Sequence, residues 1–92
     1  MALVDDKDVA EFLEKSEHWK RDADSLVAEF KFKDFSQAVG FVSRVALAAE
    51  KADHHPDIDI RWNKVHLVLS THSEGGLTEK DLDLADRISG FA

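Results

Sequence analysis

Between Leu26 and Ala49 the hydrophobic period changes from two to between three and four across a single aspartate. Leu26, Ala28, Phe30 and Phe32 alternate with Glu29, Lys31 and Lys33, the pattern of a strand with one face buried. Asp34 ends that run and offers a helix N-cap, with Gln37 three residues on in the capping-box position. Phe35, Ala38, Val39, Val42, Val45, Ala46 and Ala49 then recur at steps of three and four, which predicts a long amphipathic helix. A strand that feeds directly into such a helix must lay the helical stripe on its own sheet. Pro56 sets the limit of the helix, because the residue before a proline avoids the α region. Gly40, within the helix, is expected to be a close-packing position.

The flanking segments extend the same logic. Residues 5–16 are predicted as a first helix, capped by Asp5 or Asp6 and buried through Val9, Phe12 and Leu13. Trp19 begins a polar stretch in which Lys20 to Ser25 hold one strand and a turn. Ile58, Ile60 and Trp62 alternate as a third strand, and Asn63-Lys64 is the expected turn. Val65, Leu67 and Leu69 alternate with His66, Val68, Ser70 and His72 as a fourth strand, closed by His72. Gly75-Gly76 interrupt the chain before a last helix. There Thr78 is the N-cap, Asp81 stands at N3, Leu77 and Leu82 form a hydrophobic staple, and Leu84, Ala85 and Ile88 continue the stripe. The order helix, two strands, helix, two strands, helix predicts a small α+β sandwich, and the short turns between consecutive strands favour an antiparallel sheet. The 92 residues suffice for one domain, expected to span 1–92.

Composition narrows the function. A formal net charge of −7 with scattered basic residues argues against direct nucleic-acid binding, which needs a clustered cationic face. With no cysteine, thiolate catalysis, disulfides and Cys-based zinc sites are excluded. No apolar run approaches the ~20 residues of a membrane helix, and the first residues do not resemble a secretion signal, so a cytoplasmic, membrane-free protein is expected.

The chemistry is concentrated between residues 50 and 81: Glu50, His54-His55-Pro56, Trp62, His72 and Asp81. Imidazoles titrate near neutrality, so three of them beside two carboxylates suggest proton transfer. His54 and His55 leave the central helix at its C-terminal end, which favours a cation. Glu50 lies one turn before His54. Each residue also has a plainer explanation. Adjacent histidines before proline are often only a polar loop, capping alone accounts for Asp81, and Trp62 fits a hairpin or core aromatic. His18 and His66 lie outside the cluster and are taken as structural or surface residues. A metal site is disfavoured, since the histidines lack the helical i, i+4 spacing of the familiar zinc pair.

Taken as a set, Glu50, His54-His55-Pro56, Trp62, His72 and Asp81 at these spacings resemble the signature of the pterin-4a-carbinolamine dehydratases. The resemblance covers residues 12–92, through Phe30 to Phe35, Gly40 to Ala46, Lys64 to His72 and Gly76 to Asp81. It implies an α+β fold with a four-stranded antiparallel sheet and three helices packed on one face, and removal of water from a 4a-hydroxytetrahydropterin to give the quinonoid dihydropterin, in tetrahydrobiopterin recycling, with no cofactor and no metal. By the same resemblance, His54 and His72 transfer protons, His55 positions the pterin, and Glu50 and Asp81 support them. Trp19 would cover the ring, and Ser70 and Thr71 would offer backbone groups to its polar edge. A homodimer or homotetramer is implied, with the hairpin edge from Ile58 to Thr71 as the expected contact. Many members carry an aromatic residue where this chain has Ile58. The alternatives on the same fold are a dimerisation or coactivator module that binds protein, and a divergent relative in molybdopterin metabolism.

Overall fold

A computed structural model describes residues 2–92 and gives the element order α1 (Asp6–Glu14), β1 (Trp19–Asp22), β2 (Ser25–Lys31), α2 (Phe35–Ala52), β3 (Asp57–Arg61), β4 (Lys64–Leu69), a short 3-10 turn (His72–Glu74) and α3 (Glu79–Ser89). The strands form one sheet in the order β1-β2-β4-β3, antiparallel at every pairing. The predicted α+β architecture is the observed one.

The period-two run puts Leu26, Ala28 and Phe30 on the same face as Val65, Leu67 and Leu69, and all six are buried. Onto this face pack Val9 of α1, Ala38, Phe41, Val45 and Ala49 of α2, and Leu84, Ala85 and Ile88 of α3. Phe41 sits at the centre, with its ring centroid 4.8 Å from that of Phe30 and 4.9 Å from that of Phe32. On the opposite face Glu29, Lys31, Lys64 and His66 are exposed, so the three helices cover one face only. Asp34 caps α2 as expected, accepting from Gln37 N–H at 2.9 Å.

Several local expectations are corrected. The β3–β4 turn is Trp62-Asn63, one residue earlier than predicted, because Arg61 pairs with Lys64. Trp62 takes the left-handed φ of 53° there, and its side chain projects from the hairpin tip, 69% exposed. The turn stays in this register because Asn63 reaches inward: its Nδ2 donates to Phe32 O at 2.9 Å, and its carbonyl accepts from Phe32 N–H at 2.8 Å. Strand β4 stops at Leu69, so His72 does not close it but opens the 3-10 turn. Helix α1 is shorter than residues 5–16, and Asp5 at its N-cap makes no side-chain capping bond. Gly40 is not a close-packing position, since an added Cβ would meet only the Arg44 guanidinium at 3.7 Å.

Candidate active site

Helix α2 delivers the first two histidines. It ends with Asp53 in the left-handed region, φ 49° and ψ 45°. Asp53 N–H then bonds Glu50 O at 3.2 Å, and His54 N–H bonds Ala49 O at 3.1 Å. This is the two-bond Schellman arrangement, with aspartate in the place glycine usually fills. It turns the chain sharply, so that His54 points back toward the start of α3 while His55 stays outside. Pro56 blocks any continuation of the helix.

The third histidine arrives by way of the neighbouring strand, because the end of β4 pairs with the start of β3, Val68 with Asp57. After β4, Thr71 N–H bonds Gly76 O at 2.9 Å, closing residues 71–76 into a compact loop that carries His72 on its outer edge. Together Asp53, His54, His55, Ser70, Thr71, His72, Ser73 and Lys80 line one open cavity of about 290 Å³. All three histidines of the cluster therefore face a single space.

Behind them lies a buried carboxylate. Asp81 is fully buried. Its Oδ1 meets His54 Nε2 at 2.5 Å. Its Oδ2 accepts from Thr71 Oγ1 at 2.7 Å and from Thr78 N–H at 2.9 Å. With no other ionic partner among the described residues, an ionised Asp81 can only accept from His54. That places the neutral-ring proton on Nε2, an assignment that follows from hydrogen-bond logic. His54 Nδ1 has no hydrogen-bond partner among the described residues and is left for an occupant of the cavity. His54 is only 10% exposed, so this orientation is held by packing as well. His55 pairs instead with Glu50 through its Nε2, both side chains being largely exposed. The His72 ring makes no hydrogen bond among the described residues.

Of the residues singled out from sequence, the structure brings together His54, His55, His72, Ser70, Thr71, Glu50 and Asp81. Ser70 turns its hydroxyl to Asp24 O at 2.8 Å, tying the loop to the β1–β2 turn, so its side chain is already engaged. Trp19 is placed elsewhere. It is 3% exposed within the core, its indole Nε1 donates to Ser89 Oγ at 3.0 Å, and its ring stands edge-on to Phe30. It does not line the histidine cavity, because the first position of β1 faces the helices. Thr78 belongs to the site but entered the sequence argument only as an N-cap. Its place opposite Asp81 was legible, but its contact with Thr71 depends on the return of a loop seven residues earlier. Lys80 and Asp53 were also missed, and no local pattern marks them.

A second hollow of similar size, about 310 Å³, lies between α1, the segment that links it to β1, and α3, and includes His18 and Asp86. His18 packs its ring on Phe30 at 4.5 Å, and among the described residues neither His18 nor Asp86 has a hydrogen-bonded acid–base partner. The paired imidazole and carboxylate single out the first cavity. Among the described residues no three His, Cys, Asp or Glu side chains are grouped to hold a metal ion. Among those residues, too, no helix is long and apolar enough to cross a membrane.

A small α+β sandwich whose helix exit and return loop hold three histidines over a buried aspartate defines a pterin-dehydratase type of domain. The family model for pterin 4 alpha carbinolamine dehydratase matches residues 2–91, and the chain belongs to that family. A protein of Thermomicrobium roseum, which carries pterin-4-alpha-carbinolamine dehydratase as a provisional name, is 49% identical over 92 residues, covering 100% of this chain and 99% of its own. One from Mycobacteroides abscessus with the same provisional name is 50% identical over 88 residues, covering 96% and 94%. The crystal structure of a transcriptional coactivator/pterin dehydratase from Brucella melitensis superposes with a TM-score of 0.93 at 38% identity, covering 99% of both chains. A pterin dehydratase-like protein described as a RuBisCO assembly factor of the α-carboxysome shares the fold, at TM-score 0.68 and 23% identity over 80% of this chain and 86% of its own.

Proposed function

We propose that this chain is a 4a-hydroxytetrahydropterin dehydratase acting by histidine acid–base catalysis in the cytoplasm. The observation that carries the reading is the shared cavity of His54, His55 and His72, with buried Asp81 bonded to one of them. In the reaction the 4a-hydroxyl leaves as water after gaining a proton, a ring N–H loses its proton, and a carbon–nitrogen double bond forms between the two positions. His54, with Nε2–H on Asp81, offers Nδ1 as the base, and the carboxylate stabilises the imidazolium that results. His72, on the return loop that lines the same cavity, is the acid that protonates the departing hydroxyl. His55, braced by Glu50, positions the ring, and the Ser70-Thr71 backbone borders its polar edge. No cofactor or metal enters the scheme. The cavity is at the small end of the ~300–1,000 Å³ common for small-molecule sites, in keeping with one bicyclic ring.

The direct test is turnover of freshly generated 4a-hydroxytetrahydropterin, followed by ultraviolet absorbance with the uncatalysed rate subtracted. The wild type is expected to accelerate the reaction, and His72→Ala to lower kcat by roughly 10²-fold, the smaller end of what a general acid contributes. No acceleration by folded wild type would remove the dehydratase reading and favour a protein-binding role.

The same chain presents an apolar band on the other side of α2, with Phe35, Val39, Ile58 and Ile60 exposed beside the unpaired edge strand β3. Uncovered apolar edges invite pairing, and we propose that a second copy covers this one in a homodimer or higher even assembly. Light scattering should give an even multiple of 10.3 kDa, and Ile60→Lys should shift it toward the single chain. A monomeric wild type would refute the assembly.

A further inference from the structure

We infer that Thr71 and Thr78 are a positioning pair that sets the tautomer of His54 through Asp81, an inference that rests on the dehydratase reading for its kinetic half only. The argument begins with the single hydroxyl proton of Thr71. Asp81 Oδ2 can only accept, so the 2.7 Å contact uses that proton. In the 2.8 Å contact between the two hydroxyls, Thr71 must then accept and Thr78 must donate. The result is a one-way chain: Thr78 O–H to Thr71 O–H to Asp81 Oδ2, with the Thr78 N–H reaching the same oxygen. Both lone-pair directions of Oδ2 are filled, which leaves Oδ1 for His54 Nε2–H.

Burial makes the arrangement unique. Asp81 and Thr78 are fully buried and Thr71 nearly so, and bulk water is therefore shut out as a substitute donor. Without the Thr71 proton the carboxylate keeps one donor on Oδ2 and gains freedom to turn. His54 then loses its fixed partner, and the Nδ1–H tautomer, which cannot act as a base toward the cavity, becomes accessible. The direction of each bond also polarises the next, so the chain tightens as a unit. Segment 71–78 thus does more than carry His72. It also aims the base delivered by α2, and the acid and base of the site are mechanically joined through one loop.

The experiment uses Thr71→Val, Thr71→Ser and Thr78→Val in the full chain, with imidazole nitrogen-15 NMR of the free protein beside steady-state kinetics. Wild type should show His54 as one Nε2–H tautomer. Thr71→Val should show a mixture and a kcat lower by about 10-fold with KM little changed. Thr71→Ser should restore both, which a merely structural loss of the methyl packing would not allow. Thr78→Val should move both readouts the same way by a smaller factor, and it keeps the test open if Thr71→Val fails to fold. A single Nε2–H tautomer in the folded valine variants would overturn the inference, whatever the activity. A tautomer shift in the valine variants, beside a wild type that turns over no pterin, would instead sustain the inference and sink the dehydratase reading.

Discussion

Asp81→Asn should lower kcat by about 10³–10⁴-fold while leaving the fold intact, the loss known for the serine-protease triad when its carboxylate becomes an amide. The network dictates how the new amide must sit. Thr71 O–H and Thr78 N–H both donate to the position of Oδ2, so the amide oxygen has to occupy it. The amide nitrogen is forced into the place of Oδ1, facing His54 Nε2. There it donates, Nε2 must accept, and the neutral ring carries its proton on Nδ1. The nitrogen that should take a proton from the substrate now holds one already. The same substitution removes the negative charge that stabilises the imidazolium. Size and shape are unchanged, and Leu82, Leu84 and Ile88 on the same helix keep the core contacts that hold α3. Single-turnover kinetics and His54 nitrogen-15 shifts measured on one sample would check both halves. Near-wild-type turnover with an inverted tautomer would show that His54 Nδ1 is not the base.

How far such a network can be foreseen depends on where each link lies along the chain. The capping-box spacing from Thr78 to Asp81 is local, and it places a carboxylate at the start of α3 from the sequence alone. The sharp exit of α2 was also legible, because Pro56 forbids a helix and confines His54 to the turn before it. What the sequence did not reveal is that one oxygen of Asp81 caps while the other reaches His54, 27 residues away. Capping and the contact with His54 use different atoms of one side chain. Trp19 went astray for the complementary reason. Its resemblance to a pocket tryptophan carried no information about which face of β1 it would occupy, and the register Trp19–Ala28 turned it into the core. The shifted Trp62-Asn63 turn has a similar cause: Asn63 bonds Phe32 at the end of β2, a nonlocal contact that overrides the local preference for Asn-Lys. Periodicity therefore resolved the layers, whereas side-chain destinations required the sheet order.

Phe41→Ala is expected to cost about 3–5 kcal/mol of folding stability, the range for deleting a buried aromatic ring. Phe41 is fully buried at the middle of α2, against Phe30 and Phe32 of the β2 segment, where no solvent path allows the gap to refill. Small domains are typically stable by only ~5–15 kcal/mol, so this one change removes a large part of the margin. At about 4–8 °C per kcal/mol for a domain of this size, Tm should fall by at least about 12 °C. Urea unfolding should show a lower midpoint with an unchanged slope, because the surface exposed on unfolding is nearly the same. A loss below about 1 kcal/mol would mean that the helix and sheet close over the vacated space, contrary to the dense packing of protein cores. Activity gives the sharper contrast. The orientation of His54 comes from the Schellman bonds at Asp53 and from Asp81, none of which touches Phe41. At a temperature where Phe41→Ala remains folded, its kcat should lie within about twofold of wild type, whereas Asp81→Asn should be inactive and still stable. Phe41 lies mid-helix in α2, whereas the His54–Asp81 contact joins the C-terminal exit of α2 to the start of α3, so stability and catalysis should separate between these two substitutions.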